Sequence, residues 1–343
     1  METIRRAVVD VGTNSIKVLV ADVAGPTVRP VWEESKQTRL GQGFYANNRL
    51  QAGPIANTAK AVAAFAAKAR EHQAVSIRII ATSAARDAVN AAELTEAVEA
   101  ASGLKVEIIS GAQEAAWAFQ GVTTDPALAQ APLLLLDVGG GSTEFILGEG
   151  DHKLFSHSFP LGTVRLLEKK PHSDPPRAAE LAACRQWIVE FLRTEVAPKL
   201  GVALAARARP HAPDSPSTAI SPAGSSRLDV RKADRSPSDG LRPLQLIGTG
   251  GTASILGRME ARLESFDRER LESTRLSLGR LQWHIDRLWG LPLAERKQII
   301  GLPPNRADVI LTGITIYEGI MTEFNFPELR LSTRGLRFAA VMA

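Results

Sequence analysis

The chain has 343 residues, 41 Lys plus Arg against 37 Asp plus Glu for a formal charge of +4, with 44% hydrophobic and 23% charged residues. Such a composition excludes fibrous and low-complexity chains and fits two globular domains, each with its own core. Cys184 is the one cysteine, so an intrachain disulfide is excluded, and a surplus of four charges is too small to argue for nucleic acid.

Met1–Arg6 is a charged lead-in without the apolar core of a signal peptide, and apolar runs such as Ala131–Leu136 are far below the ~20 residues of a membrane span. The expectation is a soluble, cytoplasmic protein with no membrane or nucleic-acid partner. Ala7–Val9 and Ile16–Val23 read as strands around a turn, Asp10–Ser15. Asn57–Gln73 has helical apolar spacing, Val75–Ala81 is a strand, and a helix is expected from about Ala84 to Ala101, closed by Gly103. Leu104–Ile109 is a strand, Glu114–Gly121 a helix, and Leu133–Leu136 and Glu144–Leu147 are strands. Pro175–Leu200 reads as a long helix. From Arg207 to Pro243 the chain is rich in Pro and Ser without apolar period, which predicts a disordered insertion. It holds seven basic residues against four Asp, so most of the net positive charge belongs to it. Leu244–Gly248 is a strand, Ser277–Gly290 and Arg306–Thr322 are helices, and Leu329–Ser332 is a strand. Alternating strands and helices predict an α/β fold.

One segment repeats. Ala7–Ser15 (AVVDVGTNS) matches Leu134–Ser142 (LLLDVGGGS): apolar strand, Asp, Val, Gly, turn, Ser, then a second strand. A spacing of one domain length indicates duplication. Both turns can offer successive backbone N–H groups to a phosphate. The first supplies Gly12, Thr13, Asn14 and Ser15, with Lys17 as counter-charge; the second supplies Gly139, Gly140, Gly141, Ser142 and Thr143. A third turn, Thr249, Gly250, Gly251 and Thr252, opens a helix whose amino end favours anions. Asp137 and Glu144 are oxygen ligands suited to Mg²⁺, with Mn²⁺ as the alternative ion. Neither a Walker A loop nor GxGxxG follows the first strand. A lone Gly-Gly-Gly turn is more often a simple hairpin, but three such turns in one chain argue for a phosphate-binding cleft.

Two hairpin phosphate loops and a later GTGG turn resemble the actin-like ATPase superfamily. Within it, the segments DVGTNSIK (10–17), TRLGQG (38–43), ATSAARDAVN (81–90), ISGAQEA (109–115), DVGGGSTE (137–144), LGTVRL (161–166), GTGGTAS (248–254), NRADVILTG (305–313) and STRGLR (332–337) resemble the exopolyphosphatase/guanosine-pentaphosphate phosphohydrolase (Ppx/GppA) family. The resemblance implies duplicated actin-like (ribonuclease H-like) α/β domains around an interdomain active-site cleft. Domain I would be 1–125 plus about 322–343 and domain II 126–321, in the short, two-domain form. It implies Mg²⁺-dependent hydrolysis of the terminal phosphoanhydride of inorganic polyphosphate, or of pppGpp to ppGpp, and leaves a homodimer open. Glu114 matches the catalytic base of the family's GxEEA motif, with Gln113 replacing its first glutamate; Arg86 matches a phosphate-contacting arginine, and Arg165 and Arg306 lie in matched segments as further phosphate contacts. Thr333 stands where many members carry Asp. Without the resemblance, Glu114 would be an ordinary surface glutamate at a helix start. A kinase of the same superfamily and a non-catalytic polyphosphate sensor are the rival classes.

Overall fold

A computed structural model describes residues 2–208 and 242–343. The expected insertion, apart from its ends, lies outside the described residues. The first half contains β1 (Ile4–Val11), β2 (Ser15–Ala24), β3 (Thr27–Gln37), α1 (Ala52–Glu71), β4 (Ser76–Ala81), α2 (Ser83–Asp87), α3 (Ala91–Ser102), β5 (Val106–Ile108) and α4 (Gly111–Val122). The second contains β6 (Pro132–Val138), β7 (Thr143–Glu149), β8 (His152–Phe159), α5 (Thr163–Lys169), α6 (Ala178–Phe191), α7 (Ala197–Ala208), β9 (Gln245–Thr249), α8 (Gly250–Glu260), α9 (Arg268–Ser273), β10 (Arg275–Ser277), α10 (Leu278–Trp289), α11 (Leu293–Arg296), α12 (Ile310–Glu323) and β11 (Glu328–Leu331), before a final α13 (Leu336–Ala340). No described helix is long and apolar enough to cross a membrane.

The duplication holds in three dimensions. One sheet runs β3-β2-β1-β4-β5 and the other β10-β11-β9-β6-β7-β8. In each, an antiparallel three-strand meander is extended by parallel strands, β1 beside β4 and β5, β6 beside β9 and β11. This is the duplicated actin-like architecture. β11 keeps the second sheet going to Leu331, past the expected return at about 322, and α13 makes the return to the first half.

Burial explains the apolar run Leu133–Leu136. Leu134 and Leu136 pack with Ile188 and Leu256 on one face, while Leu133 and Leu135 pack with Ala118, Phe119 and Val122 of α4 on the other. A strand covered on both faces needs no polar alternation. α4 therefore lies between the sheets, because its Trp117 joins Val8, Leu19 and Ile80 of the first sheet and Phe338 of α13. At Gly121 a Cβ would stand 2.0 Å from the Gly335 carbonyl oxygen, so only glycine lets α4 and α13 approach this closely.

Two expected helices differ. The span Ala84–Ala101 is two helices, α2 and α3, because the Asn90 amide exchanges hydrogen bonds with both backbone groups of Leu50 (2.9 and 3.0 Å) and draws the chain off the helical path. The helix expected from Pro175 begins at Ala178 and passes through a π turn at Leu192–Val196 before α7. β3, β8 and β10 were not expected: all lie at or near sheet margins, with mostly exposed or half-buried side chains that lack the apolar signal of inner strands.

Candidate functional site

The two repeated turns meet at the cleft. Gly12 N–H donates to the Ser15 carbonyl (3.1 Å) and Gly139 N–H to the Ser142 carbonyl (2.9 Å), so both hairpins close with the same bond. A Cβ on Gly140 would stand 3.0 Å from Thr13 Cβ and 3.3 Å from the Asn14 nitrogen, so the second turn presses on the first. The TRLG segment braces the first turn: Thr38 and Arg39 N–H donate to the Asn14 carbonyl and Gly41 N–H to the Thr13 carbonyl. The third turn closes the floor where Asp137 pairs in register with Thr249. Gly250 has φ +84° and a Cβ there would lie 2.1 Å from Asp137 Oδ1, so this turn requires glycine twice over.

These turns enclose a cradle lined by Gly12, Thr13, Asn14, Ser15 and Lys17 from one half and by Asp137, Gly139–Ser142, Glu144, Gly251 and Arg306 from the other. Glu114, Ser83, Thr82, Asp10, Val138 and Leu336 complete it. Three side chains that line it have buried atoms without a protein hydrogen-bond partner: Asn14 Nδ2, Ser83 Oγ and Arg306 Nε. Buried polar atoms are ordinarily paired, so such a ring of unmet donors points to a polar ligand. Arg306 also donates to Ser15 Oγ across the halves (2.5 Å). Tyr45 and Ser83 were not read from the sequence; the hydroxyls of both approach Gly141, and the Arg165 guanidinium lies 4.3 Å from the Tyr45 ring centroid.

The carboxylates form a second group. Asp137 sits opposite Glu144 in the β6–β7 register, so both project from one face. Glu144 Oε1 accepts from Ser142 Oγ (2.8 Å) and Ser158 Oγ (2.7 Å). Glu114 occupies the first turn of α4, which Ser110 caps by accepting from Gln113 N–H, and its Oε2 accepts from Arg86 (2.9 Å). Burial holds the Glu114 carboxyl well above its usual range, the Glu144 charge adds to this, and Arg86 opposes it. Burial, then Asp137, pushes Glu144 up to about 7 against the two serine hydroxyls. Asp10 and Asp137 are also raised by burial, with Lys17 opposing in each case. Lys17 is lowered by burial, which its two aspartate neighbours resist.

Among the described residues no three His, Cys, Asp or Glu side chains are grouped to enclose a metal. Mg²⁺ commonly takes only one or two carboxylates and completes its shell with phosphate oxygens and water. Asp137 and Glu144, sharing one face of a cleft crowded with buried negative charge, fit that role.

The expected phosphate-binding residues divide. Gly12–Ser15, Lys17, Gly139–Ser142, Gly251 and Arg306 line the cradle, while Thr249 and Gly250 line the adjoining cavity. Thr143 and Thr252 do not face it. Each hydroxyl donates into the fold, Thr143 to the Leu161 carbonyl and Thr252 to the Val138 carbonyl (2.9 Å). Arg86 and Arg165 line a neighbouring cavity of about 400 Å³. There Arg86 holds Glu114, and Arg165 donates to the Gly141 carbonyl (2.7 Å) and to Asp87 (3.0 Å).

The family model described as the Ppx/GppA phosphatase family matches residues 19–208 and 229–341. With this match, a duplicated fold and a cradle at the junction of its halves, the chain belongs to the Ppx/GppA phosphatase family. It is 31% identical over 336 residues to exopolyphosphatase 2 of Mycobacterium tuberculosis, covering 94% of this chain and 92% of that one. The crystal structure of an exopolyphosphatase from Cytophaga hutchinsonii superposes with a TM-score of 0.78 at 25% identity, covering 98% and 96% of the two chains. The Aquifex aeolicus Ppx/GppA family member shares the fold, with a TM-score of 0.71 at 24% identity over 99% and 97% of the chains. This chain is an enzyme, a phosphoanhydride hydrolase.

Proposed function

We propose that the chain is a metal-dependent exopolyphosphatase that releases the terminal phosphate of inorganic polyphosphate. The observation that carries this reading is the ring of unmet donors, Asn14 Nδ2, Ser83 Oγ and Arg306 Nε, around two glycine turns with Glu114 at their edge. Backbone N–H groups of both turns hold the terminal phosphoryl oxygens, and Lys17 and Arg306 supply positive charge. Glu114 orients water and accepts its proton; as the new P–O bond forms, the bridging P–O bond breaks and its electron pair stays with the shortened chain. Arg86 fixes the Glu114 carboxylate in place. Mg²⁺ held by Asp137 and Glu144 would neutralise phosphate charge when bound.

Apolar side chains from Ile255, Phe266 and Leu336 line the larger cavity beside the cradle and favour, as the second reading, a nucleoside substrate such as pppGpp. The experiment is phosphate release, with Mg²⁺ or Mn²⁺, from polyphosphate, pppGpp and ATP presented separately. Faster release from polyphosphate is the expected result. Preference for pppGpp supports the second reading, ATP the kinase-type rival, and release from none ends the hydrolase assignment.

A further inference from the structure

In-line displacement assigns the two cavities beside the cradle to opposite ends of the reaction. Attacking and leaving oxygens lie on opposite sides of phosphorus. Glu114 stands on the side where its partner Arg86 lines the cavity of about 400 Å³. Glu114 itself lines neither cavity, but Lys17 and Arg306 line the other one, of about 530 Å³, and the departing chain then runs that way.

A wall that tracked a long polyanion would present free cations. Here the outer wall carries Glu33, Glu34, Arg258 and Arg337, and its cations are engaged by the protein. Arg337 lies 3.3 Å from Glu33 and donates to the Val18 carbonyl (2.7 Å). Arg258 donates to the Leu263 and Glu264 carbonyls. From α9 in the other half, Arg268 reaches across to the second oxygen of Glu33 and to the Thr333 hydroxyl. Thr333 in turn donates to Glu272 (2.5 Å), four residues along from Arg268. The position where many relatives carry Asp is thus a neutral link in this clasp.

We propose that Glu33, clasped between Arg268 and Arg337, cancels the positive charge of the leaving-group cavity and so selects short phosphate donors over long polyphosphate. This rests on phosphoanhydride hydrolysis at the cradle. A short leaving group ends near Lys17 and Arg306. A long one must lay further negative charge along Glu33 and Glu34.

The test is the ratio of kcat/KM for polyphosphate of several hundred units to that for tripolyphosphate, measured on the full chain. Glu33→Gln removes the carboxylate that two guanidiniums share, leaving them their contacts to Val18, Thr333 and Glu272, and is expected to raise the ratio about tenfold at low salt, with the gain shrinking as salt is added. Arg268→Gln breaks the same clasp but removes a cation, and is expected to lower the ratio about threefold. A purely structural clasp would move both variants in the same direction, and that result, or an unchanged ratio in Glu33→Gln, overturns the proposal. Should Glu33→Gln not fold, Glu34→Gln on the exposed part of the wall is expected to raise the ratio two- to threefold, roughly the effect of one screened charge, and no rise overturns the proposal equally. If the wild-type chain releases phosphate from neither substrate, the hydrolase reading fails instead.

Discussion

The two repeated hairpins share a backbone and differ in chemistry. Each has a strand-end aspartate, an identical glycine-closed turn and a buried partner opposite the aspartate. Opposite Asp10 that partner is Lys17; opposite Asp137 it is Glu144. The first hairpin thereby brings a cation to the cradle. The second brings a carboxylate beside Glu114, where it suits a metal ion and raises the proton affinity of Glu114, the proposed base. Duplication made the cradle symmetric, and one side chain per copy divided its labour.

The comparison breaks most sharply at Glu114, the proposed base beside the acidic hairpin. Glu114→Gln is expected to lower kcat about 1,000-fold in a phosphate-release assay, as loss of a general base does, with the melting temperature retained. Making the first hairpin imitate the second comes next. Lys17→Glu is expected to reduce kcat/KM about 100-fold, mostly through KM, while Lys17→Met loses about tenfold, because a removed charge costs less than a reversed one. Wild-type kinetics in Lys17→Glu would refute the division of labour.

The acidic hairpin also predicts a pH signature. The Glu114 carboxyl must be ionised for turnover, and burial with the Glu144 charge beside it raises its proton affinity, so kcat should fall with decreasing pH at a higher pH than an ordinary carboxylate would give. Stability runs the opposite way. A carboxyl raised from 4.5 to about 7 binds its proton more tightly in the folded state, so its contribution is full below pH 4.5 and is lost as pH rises to about 7. Denaturant titrations of the ligand-free chain should show that decline, and Glu144→Gln should make it shallower, with Glu114, Asp10 and Asp137 supplying the rest. A smaller effect tests the third turn. Gly250→Ala forces a Cβ onto Asp137 at a positive φ, and is expected to cost about 1–3 kcal/mol by urea unfolding. The smallest separates cradle from scaffold. Thr143→Val removes the bond to the Leu161 carbonyl and is expected to cost about 1 kcal/mol while leaving kcat/KM within about twofold.

Much of the site was legible because its signals are local. An aspartate ending an apolar strand, followed by glycines and a serine, specifies a strand–turn–strand with exposed N–H groups, and its recurrence marks the duplication. Arg86 was legible as a residue but not in its contact: whether a guanidinium meets phosphate or a carboxylate depends on what α4 brings beside it. Thr143 and Thr252 resemble cradle hydroxyls in sequence, yet strand pleat and helix phase turn both inward. Tyr45 carries no local signal, and Ser83, though inside the ATSAARDAVN segment, gains its significance from a missing hydrogen-bond partner that only the structure reveals. β3 and β8 escaped notice because marginal strands are held by a neighbour's ladder rather than by buried side chains.

The sequence by itself determined the alternation of strands and helices and the repeated turns, because backbone conformation near glycine and apolar periodicity are short-range properties; Glu114 was marked by the family resemblance alone. Only the tertiary structure decided which groups face one another. Contacts such as Arg86 with Glu114, Arg306 with Ser15 and Arg268 with Glu33 join residues far apart in the chain. They exist because separate elements of the fold meet there, and the charge each group experiences is set by its burial at that meeting.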